Sequence, residues 1–204
     1  MPSQFFLVSL KNIIRTINAL SEWTGRLIAW LVLLMVLIIV YQASMVALFS
    51  IGSVALQELQ WHLFALVFLL GAAYTLKHDD HVRVDIVYQS RWMDDRGRAW
   101  IDFLGGLIFL IPFCLLVITA SWQFVYNAFA TCKGYSDSGE LRGLWAFVYQ
   151  TSITCEGSPD PGGLPYRFLL KAAIPVGFAL LMLQAIANSL SSLLYLLEHQ
   201  EGKP

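Results

Sequence analysis

Charge is scarce in this sequence. Asp, Glu, Lys and Arg together make up 13% of its 204 residues, about half the share of an ordinary soluble domain. Hydrophobic residues make up 57%, so water is excluded as the main solvent of the folded chain. A basic stripe is missing too. The formal net charge is -1 and the 13 Lys and Arg are scattered, which leaves no electrostatic footprint for nucleic acid. Cysteine is limited to three residues, with no CxxC pair and no Cys/His spacing of a zinc site; neither a thioredoxin-like motif nor a structural metal is suggested, and no cofactor is expected. Nor does any repeat, direct or inverted, relate the two halves. Carriers that move substrate by themselves are often built from such repeats, so the chain reads as a subunit of something larger.

What the sequence has in quantity is long apolar runs. Leu27 to Phe49 is 23 residues without a charge; at 1.5 Å per residue that is about 34 Å, enough to cross a hydrocarbon core of roughly 30 Å. A second span runs from Val54 to Leu76, with Gln57, Glu58, Gln60 and His62 in its first turns. Phe103 to Tyr126 is the third, with Gly105, Gly106 and Pro112, residues that lipid-embedded helices tolerate better than soluble ones. Ala172 to Leu197 is the fourth. The first run follows about 26 residues and no small-residue cleavage site comes after it, which reads as a retained span rather than a signal peptide. The expected fold class is therefore all-α integral membrane, with four transmembrane helices and additional interfacial amphipathic helices.

Orientation follows from where Lys and Arg lie. Lys11, Arg15 and Arg26 precede the first span, and the connection to the second has neither residue type. A basic loop over residues 77–100 carries Lys77, Arg83, Arg91, Arg96 and Arg98, and the tail over 198–204 carries Lys203. Both termini are thus expected in the cytoplasm. The three spans within residues 27–125 and the fourth within 172–197 then leave residues 126–171 as a periplasmic loop. Apolar Ile13, Ile14 and Ile17 alternate with Lys11, Asn12, Arg15 and Asn18, so residues 1–26 read as a cytoplasmic amphipathic helix, either a surface anchor or a docking helix. In the periplasmic loop Leu141, Leu144, Trp145 and Val148 repeat at helical spacing behind Glu140, a pattern for a second interfacial helix; the run from Ser158 to Gly163 breaks it.

Six ionisable side chains fall between His78 and Asp85. They read as a solvated junction with capping carboxylates rather than a metal site, because no recognised ligand spacing is present. Glu58 and His62 are four apart, on one helix face, where an ion pair or hydrogen bond is feasible. An ionisable residue in a span is a functional hypothesis by default, here weighed toward assembly; Trp61 between them is a further candidate contact. In the fourth span Gly177, Gln184 and Asn188 lie on a stripe with Ser191 and Tyr195 that suits a helix contact, within the chain or with a partner. Cys132 and Cys155 both fall in the loop assigned to an oxidising compartment and are a candidate disulfide.

Gly71-Ala72-Ala73-Tyr74, a short polar run, and then His81-Val82-Arg83-Val84-Asp85 resemble the signature of the small (DctQ-like, four-span) membrane subunit of tripartite ATP-independent periplasmic (TRAP) transporters. Glu58, Gly139-Glu140, Ile174-Pro175-Val176-Gly177-Phe178 and Gln184 also fit that pattern, and the resemblance covers most of the chain from Glu58 onward. A departure is the segment from Trp145 to Pro165, longer than the family usually has. The resemblance implies residence in a bacterial inner membrane. It also implies a complex with a larger multi-span subunit that carries substrate and sodium, fed by a periplasmic solute-binding protein, typically for organic acids. His81, Arg83 and Asp85 join the assembly candidates on this ground. The expected function is a non-catalytic small permease subunit that anchors and orients the carrier, with membrane lipid as its other partner.

Two rivals come from other classes. A four-span thiol-disulfide oxidoreductase has a periplasmic cysteine pair, yet it needs a second pair in the first periplasmic loop, and Ser50 to Leu59 has no cysteine. A membrane haem subunit needs histidines at matching depth, and His62 alone lies within a span.

Overall fold

The computed structural model describes residues 4–78, 94–130, 133–134, 153–154, 156–164 and 167–198. The elements in chain order are α1 (Gln4–Phe49), α2 (Val54–Lys77), α3 (Asp95–Gly105), a π-helical turn (Gly106–Leu110), α4 (Ile111–Ala130), strands β1 (Lys133–Gly134) and β2 (Ile153–Thr154), and α5 (Phe168–Glu198). Among the described residues, four helices are long and apolar enough to cross a membrane. The chain is all-α in class. The exception among the described residues is a two-residue antiparallel ladder pairing Lys133 with Thr154 and Gly134 with Ile153, which no hydropathy pattern announced.

The amphipathic stretch and the first span are a single helix. α1 runs for 46 residues, about 69 Å at the standard rise. Nothing in its sequence stops it: there is no proline from Gln4 to Phe49, and the one glycine, Gly25, lies against the ring of Tyr74, where a Cβ would collide with the ring. The helix ends at Ser50, whose φ of 56° is left-handed and whose N–H donates to the Val46 carbonyl at 3.0 Å, an αL cap. Ser53 then opens α2.

The third span is longer than its apolar run. It is continuous from Asp95 to Ala130, 36 residues, because the charged first turns of α3 extend the same helix. At Gly106–Leu110 the turn widens, and Ile111 N–H donates to the Gly106 carbonyl five residues back. Pro112 follows directly. Its ring would clash with the carbonyl four residues earlier in a regular turn and it has no N–H to give, so a π-turn just ahead of it relieves both constraints.

Two compact units make up the chain. One comprises Met1–Arg26, Leu70–Val117 and Gly177–Pro204; the other comprises Leu27–Leu69 and Ile118–Val176. The first unit is closed by small residues: Ala73, Cys114 and Ala187 are fully buried, and a Cβ on Gly106 would strike Ser189 Oγ. Small side chains let helix backbones approach where no hydrophobic effect drives association in lipid. Phe113 meets Phe178 edge-on at 6.0 Å. In the second unit Leu63, Ala128 and Ala173 are buried and Phe129 meets Phe168 at 5.9 Å. Gln60 Nε2 donates to Gln42 Oε1 at 2.9 Å, while no residue from Leu27 to Phe49 is buried.

Candidate functional site

Among the described residues, each unit contains a polar cluster built from residues far apart in sequence. In the first, Gln184 is fully buried on α5. Its Oε1 accepts from Ser21 Oγ at 2.6 Å, and its Nε2 donates to Asn18 Oδ1 and to Asn188 Oδ1, both at 2.9 Å. Asn188 Nδ2 donates in turn to the Leu76 carbonyl at 3.1 Å. That carbonyl is one of the last four of α2, which have no partner inside their own helix. A primary amide has two donors and a carbonyl acceptor, and here both donors and the acceptor are used, tying α1, α2 and α5 together. Beside it Glu22 accepts from Lys77 Nζ and lies 3.4 Å from His78 Nε2, and His78 packs on the Tyr74 ring at 4.5 Å.

The second cluster centres on Glu58, in the first turns of α2. Its carboxylate accepts from the Ser158 hydroxyl and, at 2.7 Å, from the Leu164 backbone N–H. Between those residues the chain makes a tight turn. Gly163 N–H donates to the Asp160 carbonyl at 3.0 Å, Ser158 N–H donates to the Leu164 carbonyl at 3.1 Å, and Gly162 has a φ of 82°. Gly163 leaves room for the carboxylate, since a Cβ there would run into Ser158 and Glu58 Oε2. Pro159, Asp160, Pro161 and Gly162 remain exposed. His62 does not reach the Glu58 carboxylate as its main contact; its Nδ1 donates to the Glu58 carbonyl at 2.6 Å.

These two clusters contain none of the arrangements that bind a metal: among the described residues no three His, Cys, Asp or Glu side chains converge. A family model for tripartite ATP-independent periplasmic transporters, DctQ component, matches residues 35–194. The chain belongs to this family. The matched region of this DctQ-family chain contains Glu58, Gln184 and Asn188 but not Asn18, Ser21 or Glu22, which complete the first cluster from α1. No curated protein matches the chain.

Of the residues singled out from sequence, Gln184 and Asn188 are brought together, Glu58 and His62 share a helix turn, Gly177 is buried, and Trp61 is 69% exposed. His81, Arg83, Asp85, Cys132, Cys155 and the expected helix at 141–148 lie outside the described residues. Sequence reasoning missed Asn18 and Ser21 as partners of Gln184, and Ser158, Gly163 and the Leu164 N–H as partners of Glu58. The polar residues of the α1 stripe were a signal for the first pair. A backbone donor has no sequence signal.

Proposed function

We propose that this chain is the non-catalytic small permease subunit of a binding-protein-dependent secondary transporter, anchoring and orienting a large multi-span carrier subunit in a bacterial inner membrane. The carrier moves organic acids or similar small solutes on an ion gradient, and a periplasmic solute-binding protein delivers them. The observation that carries this reading is the family match over residues 35–194. The polar chemistry agrees with it. Gln184, Asn188 and Glu58 are spent on contacts within the chain, so they hold helices and a loop in place rather than lining a path for solute.

Partner contact then falls to what faces outward. On α2 Trp61, Phe64 and Phe68 are 69%, 62% and 70% exposed, at spacings of three and four that set them on one face. Aromatic residues are enriched at interface cores, and this stripe is the surface we assign to the carrier subunit. Positive charges in the part of α1 ahead of its apolar run (Lys11, Arg15, Arg26) and at and beyond the end of α2 support cytoplasmic termini.

The test is to tag the chain, extract it from its native membrane in mild detergent and identify what accompanies it by mass spectrometry. A stoichiometric multi-span protein is expected, with that yield falling several-fold for Trp61→Ala combined with Phe64→Ala. Purification of the chain alone would overturn the subunit reading. A periplasm-only reporter inserted near Gly157 should be active and one fused after Pro204 silent; the reverse pattern would overturn the orientation.

A further inference from the structure

A crevice of about 470 Å³ opens in the unit formed by Leu27–Leu69 and Ile118–Val176, within the size range of small-molecule pockets. Its wall is apolar, with Ala65 and Leu69 from α2 facing Leu170 and Ile174 from α5. Charge is confined to Glu156, Arg167 and Lys171, all at or before the first turn of α5. The crevice is therefore amphipathic along its length. From Arg167 to Ile174 is seven residues, about 10 Å at helical rise.

Among the residues that line the crevice, two cations face one carboxylate. Lys171 Nζ donates to both oxygens of Glu156, at 2.8 and 2.6 Å, and sits 4.2 Å over the Phe124 ring. Arg167 gives its backbone N–H to the Glu156 carbonyl, and its guanidinium has no hydrogen bond or ion pair with another described residue. Glu58 lies within its electrostatic reach, but that carboxylate is already held by Ser158 and Leu164. Among the described residues, one cationic fork at the mouth of a hydrocarbon-lined trough is thus without a hydrogen-bonded anion. A planar guanidinium matches phosphate geometry and binds it bidentately.

We propose that this crevice is a specific site for one glycerophospholipid. The phosphodiester takes Arg167, with the Lys171 ammonium beside it, and one acyl chain lies along Ala65, Leu69, Leu170 and Ile174. The occupant follows from the site's own chemistry. A trough in a membrane-spanning helix bundle is filled from the bilayer, and the bilayer molecule that joins a hydrocarbon chain to an oxyanion is a phospholipid. A soluble anion would leave the apolar wall uncovered.

The experiment uses the full chain, delipidated in detergent and titrated by native mass spectrometry with palmitoyl-oleoyl phosphatidylethanolamine, and separately with palmitoyl-oleoyl glycerol, which has the same chains and no phosphate. The wild type is expected to bind one phospholipid about tenfold more tightly than the diacylglycerol, the size of one charge-assisted contact. Arg167→Gln should bring the two ligands to equal affinity. Ala65→Phe, which fills the trough and leaves every charge in place, should abolish the single-lipid complex. Equal binding of the two ligands by the wild type, no binding of either, or an unchanged one-lipid complex in Ala65→Phe would each overturn the proposal.

Discussion

The two polar clusters solve different problems with different chemistry. Every side chain bonded to Gln184 is neutral and the central amide has no solvent contact; around Glu58 the central group is a carboxylate and its partners belong to a partly exposed turn. Burying an ion costs far more than burying an amide whose hydrogen bonds are made. The amide can therefore sit where three helices meet, while the carboxylate sits at a helix end, where a loop can be brought to it. The first cluster fixes helix against helix. The second fixes a loop against a helix. Their failures should therefore look different.

The strongest test of that contrast is covalent. Cys132 and Cys155 lie outside the described residues, but each adjoins a strand residue in sequence, and the ladder pairs Lys133 with Thr154 and Gly134 with Ile153. Both cysteines fall in the loop expected in an oxidising compartment. We expect the pair to form a disulfide, worth about 3 kcal/mol in closing a loop of this length, so that the segment leading to Ser158 is tied independently of Glu58. Thiol alkylation before and after reduction checks it. Ready labelling of both cysteines in the untreated protein would remove the covalent tie and leave the carboxylate as the main restraint.

Next in size is Gln184→Leu. It keeps the volume and leaves Ser21 Oγ, Asn18 and Asn188 without their shared partner. Hydrogen bonds between membrane helices are individually modest, and losing three of them at a buried point should cost about 2 kcal/mol. The midpoint of thermal unfolding in detergent should fall for the whole chain, and a midpoint unchanged within error would show the cluster to be incidental. Glu58→Gln should do the opposite. It weakens the charge-assisted contacts to Ser158 and Leu164, speeding proteolysis between residues 158 and 164 several-fold while the unfolding midpoint stays put. A fall in midpoint as large as that of Gln184→Leu would erase the distinction between the clusters.

How much of this was legible in sequence varies with the range of the interaction. The four spans were readable because an apolar run of span length has few alternatives in water, and the class of the chain followed from them. The continuity of α1 was not readable: an amphipathic pattern and an apolar run look like two elements, and only the absence of a breaker, with Gly25 packed under Tyr74, joins them. The π-turn before Pro112 had a visible cause but no visible outcome. Glu58 stood out as a carboxylate in a span, yet its partners are 100 and 106 residues away, and one is a backbone N–H that any residue but proline supplies. The amide stripe on α5 was seen, while the choice between an internal and an external partner needed the position of Asn18 and Ser21.

The smallest predicted effect separates the carboxylate's role from that of the turn it holds. Gly157 and Gly163 flank the same segment, and a Cβ on Gly157 meets nothing within 4 Å whereas one on Gly163 meets Ser158 and Glu58. Gly157→Ala should therefore be neutral or slightly stabilising, since it only reduces the freedom of the unfolded chain. Gly163→Ala must push Ser158 or Glu58 aside, at about 1 kcal/mol, and should reproduce the faster cleavage of Glu58→Gln with every charge intact. Combining Gly163→Ala with Glu58→Gln should add little to either alone, because contacting residues that act on one loop are not additive. Full additivity of the cleavage rates would mean that the glycine holds the turn on its own account and that the carboxylate does not reach the loop through it.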